Sequence, residues 1–189
     1  MHDDVNSAEL VVDSLGDGGA SLCRGYVGRN KLIGKGEFLR RGSDVTLLAY
    51  GSMVPVAMEA AEALASRNID CGVINARFAK PLDLALIEQA LQTAPKLITL
   101  EEHLVSGGFG SAILELAEQK GLDREAIRVH AIPDQFIDHG PQVYQRAKFH
   151  LDAPGVVDTV LGLIPELAEE SAQPRVRRRV VAQKETVTW

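Results

Sequence analysis

Cysteine is scarce in this chain: two residues, Cys23 and Cys71, in 189. That excludes a disulfide framework, and the pair has none of the spacing of a zinc site, so both are expected to be reduced and structural. Long apolar runs are missing as well. Nothing approaches the ~20 consecutive apolar residues a bilayer crossing needs, and the acids close to Met1 (Asp3, Asp4) are wrong for a signal peptide. The expectation is a cytoplasmic protein with no membrane partner. There is no internal repeat beyond the alternation described below, and no low-complexity stretch other than one arginine cluster.

Basic charge is missing from most of the chain. The formal net charge is −6, yet residues 173–189 carry Arg175, Arg177, Arg178, Arg179 and Lys184 against Glu185 alone. That segment is therefore +4 and the remainder −10. Phosphate binding needs a basic face on the fold, so the acidic body argues against nucleic acid as a partner. The arginine cluster is expected to belong to a basic, solvated and mobile tail, residues 168–189, although it could also grip an acidic partner or nucleic acid.

What remains is an ordinary globular composition, 46% hydrophobic and 24% charged, in a length that buries ~70% of its unfolded surface. From Asp44 onward, short buried-type runs alternate four times with helical-period segments, which is the pattern of βαβ units. The strands are expected at 44–50, 70–76, 96–100 and 127–132. Helical stripes follow at Val54, Met58, Ala61 and Ala65, with Ala57 and Leu64 alongside; at Leu84, Ile87, Leu91 and Ala94; and at Phe109, Ile113, Leu116 and Ala117, where Gly121 is a C-terminal stop. Two more helices are expected near 143–149 and over 154–167, the latter with Val157, Val160, Leu161 and Ile164 inward. Residues 35–42 lie only two residues before the next strand. No parallel crossover fits in that gap, so a strand there must run antiparallel, at or near an edge. Residues 1–31, rich in glycine without a period, are expected to form a loosely ordered leader.

In an open α/β sheet ligands bind beyond the carboxyl ends of the strands. The richest of those loops runs Glu101, Glu102, His103, then Gly107, Gly108, Gly110 and Ser111, from a strand into a helix. One reading is an anion or contact loop, because free amides at a helix start attract negative charge. The other is that Gly108 and Gly110 permit close helix-to-sheet packing while the two carboxylates are solvated or hydrogen-bonded. The carboxylates, which would repel a phosphate, weigh toward the second. The segment is not a dinucleotide fingerprint, since Ile113 stands where the third glycine belongs. Ser52 is a plausible N-cap at another helix start, with a weak anion site beside it. Asp134, Asp138 and His139 could supply a general base, but with no nucleophile at recognisable spacing a hydrogen-bonded polar turn is the expectation. The histidines at 2, 103, 130, 139 and 150 show no ligand spacing, and no metal site is expected.

Five segments occur in order: Gly34-Lys-Gly-Glu37, Asp44-Val-Thr-Leu-Leu-Ala-Tyr-Gly-Ser-Met53, Asn75-Ala-Arg-Phe-Ala-Lys-Pro-Leu-Asp83, Glu101-Glu102 with Gly107-Gly-Phe-Gly-Ser111, and Pro133-Asp-Gln-Phe-Ile-Asp-His-Gly140. Together they resemble the C-terminal domain of 1-deoxy-D-xylulose-5-phosphate synthase, a transketolase-like thiamine diphosphate enzyme, over residues 32–167. The resemblance implies a three-layer α/β/α domain with a five-stranded, mostly parallel sheet and one antiparallel strand. It implies a full enzyme that condenses pyruvate with glyceraldehyde 3-phosphate, releasing carbon dioxide, on the route to isoprenoid precursors. Thiamine diphosphate and magnesium would be held by two preceding domains absent here, either in the same enzyme or as a separate subunit, in a homodimer or hetero-oligomer.

No catalytic or cofactor-binding residue is carried over to this chain, which is expected to be inactive alone. Gly16-Asp17-Gly18 resembles the start of the magnesium-diphosphate motif, but Asn30 is too close to complete it. Only Arg24-Gly25 resembles the family's arginine-rich phosphate-binding stretch. Two other roles fit the same residues: a regulatory or partner-binding module, and a beta-type fragment of a 2-oxoacid dehydrogenase.

Overall fold

The computed structural model describes residues 32–165. The leader 1–31, with Cys23, and the basic tail from 168 onward lie outside them. Chain order is β1 (Glu37–Arg40), β2 (Val45–Ala49), α1 (Met53–Ala65), β3 (Cys71–Asn75), α2 (Leu84–Thr93), β4 (Leu97–Leu104), α3 (Phe109–Lys120), β5 (Ile127–Ile132), α4 (Gln142–Lys148) and α5 (Ala153–Leu163).

The strands form one sheet in the order β1-β3-β2-β4-β5. β2, β3, β4 and β5 are parallel, and β1 pairs antiparallel with β3, Glu37 opposite Asn75, at the edge. The short connection Arg41–Asp44 cannot carry a crossover, which is why the first strand takes this direction.

Every residue of β2 is buried, as a strand covered on both faces requires. The alternation of its side chains feeds two cores. Val45, Leu47 and Ala49 join Val73, Ile98 and Leu100 beneath α1 and α5. Leu48 joins Ile74, Leu97 and Ile127 beneath α2 and α3, with Ile87, Phe109, Ile113 and Ala117. The architecture is thus three-layered, α/β/α. Of the expected α1 stripe, Val54, Ala57, Ala61 and Leu64 are buried, Met58 is half-buried, and Ala65 faces solvent. Asn68 turns the chain after α1 in the left-handed region.

Two boundaries differ from the sequence reading. β4 does not stop at Leu100 but runs to Leu104, past an irregularity in its register with β5, and Val105 N–H still donates to Ile132 O at 2.8 Å. Glu101, Glu102 and His103 are therefore strand residues, not loop residues. The last helix ends at Leu163, capped at its start by Asp152, which accepts from Gly155 N–H at 3.0 Å. Val157 and Val160 are buried as expected, whereas Leu161 and Ile164 are only partly so. Among the described residues no helix is long and apolar enough to cross a membrane.

Candidate functional site

β2 connects to β3 on one side, while β4 lies on β2's other side. The carboxyl ends of β2 and β4 therefore flank the point where the strand order reverses, the place where open α/β sheets bind ligands. Tyr50, Ser52, Glu101 and Glu102 meet there. A cleft of about 400 Å³ opens beside them, lined by Tyr50, Lys80, His103, Gly107, Ser111 and Glu115 among others. Its floor includes the Tyr50 ring stacked on Phe109, with centroids 5.1 Å apart.

The amides that could have held an anion already have an acceptor. Glu101 is 1% exposed, and its carboxylate accepts from Phe109 N–H at 2.6 Å and Gly110 N–H at 2.7 Å. An anionic side chain thus satisfies the orphan donors of α3 and complements its positive end. At these two positions the acceptor is the chain's own carboxylate, in line with the hydrogen-bonded alternative of the two readings. Gly107 N–H donates to Ser111 Oγ at 3.1 Å, and Ser111 Oγ donates to Val105 O at 2.5 Å, which closes the loop on itself.

Both glycines let α3 approach the sheet closely, and one of them also serves the cap. A side chain on Gly110 would start 2.5 Å from Val129 and 2.6 Å from Thr99 Oγ1, so this is the close helix-to-sheet approach. Gly108 would instead collide with the Glu101 carboxylate and Leu104 O. Both belong to β4, so the close approach of α3 to the sheet expected from the sequence holds at Gly108 too, where it also leaves room for the cap.

Glu102, next along the strand, points to a different set of partners. Arg146 binds it through two nitrogens, at 2.6 and 3.0 Å, with both side chains about a quarter exposed. Ser52 Oγ donates to the same carboxylate, as does Gln142 Nε2 at 3.4 Å. Arg146 and the Ser52 hydroxyl hold the Glu102 carboxyl below the usual range, and Glu102 in turn raises the Arg146 guanidinium. Ser52 stands at the N-cap of α1 but makes no side-chain cap bond, because its hydroxyl is turned to Glu102. Arg146 and Gln142 were missed from sequence. Their four-residue spacing on one face of α4 was the only available signal, and nothing local names Glu102 as their partner.

The remaining candidates are scattered. His103 is exposed, its Nδ1 3.2 Å from Leu104 O. Asp134, Asp138 and His139 lie on an exposed segment after β5; Asp138 O accepts from Gln145 Nε2, and the Asp138 carboxylate is 3.8 Å from Lys148 Nζ. No nucleophile is bonded to His139 among the described residues, and it is not brought to the cleft. Cys71 is buried in β3, and burial pushes its thiol up to about 12, which makes it a poor nucleophile.

Among the described residues no three His, Cys, Asp or Glu side chains gather as a metal site. The amides of Phe109 and Gly110, at the start of α3, are occupied by Glu101. The start of α3 thus does not fit a magnesium diphosphate, whose phosphates need free donors and whose metal needs several oxygen ligands, a set that does not gather among the described residues.

The described residues form a three-layer α/β/α domain on a mixed sheet, whose switch point carries a helix start capped by the chain's own carboxylate. The family description "Transketolase, C-terminal domain" matches residues 34–156, and the chain belongs to that family. It is 49% identical over 128 residues to 1-deoxy-D-xylulose-5-phosphate synthase 1 of Geobacter metallireducens, covering 68% of this chain and 20% of the relative. The synthase of Desulforudis audaxviator is 45% identical over 146 residues, 77% of this chain and 23% of that one. Among solved structures, a split gene transketolase described as an inactive beta4 tetramer superposes with a TM-score of 0.63 at 29% identity, over 71% of this chain and 43% of that one. The chain spans only about a fifth of the length of the curated relatives it matches.

Proposed function

We propose that this chain serves as the C-terminal unit of a 1-deoxy-D-xylulose-5-phosphate-synthase-type transferase, joining pyruvate to glyceraldehyde 3-phosphate, and that it supplies subunit contacts and no reacting group. Thiamine diphosphate and magnesium belong to domains outside the described residues, on the same polypeptide or on a second subunit. The observation that carries this reading is the Glu101 cap. Of the two helix N-termini at the switch point, that of α3 is filled by the protein's own carboxylate, in a domain 49% identical to the matching part of such a synthase. The similar split gene transketolase, described as an inactive beta4 tetramer, supports a partner-dependent role.

The experiment is a pyruvate-consumption assay with thiamine diphosphate, magnesium and glyceraldehyde 3-phosphate. It compares the chain alone, the Geobacter metallireducens synthase, and that synthase with its matching region replaced by residues 32–165. No turnover by the chain and restored turnover by the chimera are expected. Turnover by the lone chain would overturn the proposal, and so would a folded chimera without activity.

A further inference from the structure

The large exposed apolar side chains among the described residues all lie along one edge of the sheet. Phe136 is fully exposed and Ile137 also faces solvent, on the segment that follows the carboxyl end of β5. Val105 follows the carboxyl end of β4. Val143 and Tyr144, 81% and 63% exposed, stand on α4, which Arg146 and Gln142 tie to Glu102 at that same end. Leu32 and Ile33, 74% and 81% exposed, precede β1. Because β1 is antiparallel, its start faces Asn75 at the carboxyl end of β3, so these two sit on the same edge at the other side of the sheet. Helices α1, α2, α3 and α5 and the opposite edge present no exposed side chain of this kind among the described residues. Scattered exposed hydrophobics need no explanation, but a set confined to one edge marks a contact surface.

Resting on the functional reading above, we infer that this carboxyl edge is the docking surface for the preceding domain of the enzyme. The relatives are about five times as long as the region this chain matches, and the matching family is a C-terminal domain, so the additional length in those relatives comes before it. Sequence preceding the domain joins it at Leu32 and Ile33, on that same edge. The occupant meets an apolar strip rimmed by the exposed carboxylates Asp134 and Asp138, and complementary basic groups on its own rim would fix the register.

Hydrogen exchange on the whole chain and on the chimera described above tests this. In the chimera, amides of residues 133–148 should exchange at least tenfold more slowly than in the free chain, while α1 and α2 exchange alike in both. Phe136→Asp with Tyr144→Asp should leave the melting temperature of the free chain unchanged and abolish the added protection. Equal exchange in both proteins overturns the inference, as does added protection on the helical layers. Self-association of the free chain that the double variant abolishes would overturn it too, by giving the edge to a second copy.

An active chimera with an unprotected edge rejects the docking surface and keeps the functional reading; a protected edge without turnover does the reverse. Should the chimera not fold, the chain is co-expressed with the same synthase cut before its matching region. A complex lost on Phe136→Asp with Tyr144→Asp supports the inference, and the absence of a complex counts against it.

Discussion

The Glu101 carboxylate caps α3 from eight residues upstream, accepting the Phe109 amide at 2.6 Å while itself almost wholly buried. A strand end and a helix start are thereby fastened to each other at the switch point. Glu101→Ala should cost about 3 kcal/mol, since buried donors that lose their acceptor each cost about 1–3 kcal/mol. Glu101→Gln keeps one acceptor oxygen and should cost about half as much, though its amide faces the second donor. Urea unfolding monitored by circular dichroism measures both; a Glu101→Ala variant as stable as the parent would refute the cap.

Gly110 and Thr99 form a second test of the same region. Gly110→Val should destabilise by about 2 kcal/mol or more, because Val129 and Thr99 occupy the space its side chain needs. Thr99 Oγ1 is buried without a hydrogen-bond partner. Thr99→Val removes that unmatched hydroxyl at constant shape and should be neutral or stabilising by about 1 kcal/mol. Thermal melts of both variants decide it, and a large loss in Thr99→Val would show an unseen partner.

α4 has no fully buried residue, so its position depends on the Glu102–Arg146 pair. Arg146→Met should accelerate amide exchange across 142–148 while lowering global stability by only about 1 kcal/mol, since the pair is partly solvated. The pair also sets an acid limb. Glu102 titrates below its ordinary value of 4.5 in the folded protein, so its contribution is complete above that pH and is lost as the pH falls through the folded value. Stability measured from pH 6 to pH 3 should fall less steeply in Arg146→Met than in the parent.

His130 gives a limb of opposite chemical origin but the same direction. Burial lowers its pKa from 6.5, and Nε2 lies 2.7 Å from His150 O. The unfolded chain binds that proton more readily, so stability declines as the pH falls through about 6.5 and levels off below the folded value. His130→Gln should flatten the stability profile between pH 7.5 and pH 5.5. A profile unchanged by the substitution would assign that slope to another group.

Strand and helix identities were legible because their signals are local. The fully apolar run of β2, the stripes of α2 and α3, and the stop at Gly121, found in the left-handed conformation, depend on neighbours within a few residues. Even the direction of β1 followed from a connection too short to cross over. The site was less legible. Glu101 and Glu102 were read as one pair of loop carboxylates, and adjacent residues on a strand point to opposite faces. One therefore entered the start of α3 and the other met a helix more than forty residues away.

The order of residues alone determined the alternation of elements, the antiparallel edge strand and the family motifs, because periodicity, chain reach and motif spacing are properties of the covalent chain. Tertiary structure decided which donors were free, which glycine leaves room for a cap, and where the unburied apolar side chains collect. Those depend on distances between residues far apart in sequence, set by sheet register and not by any local pattern.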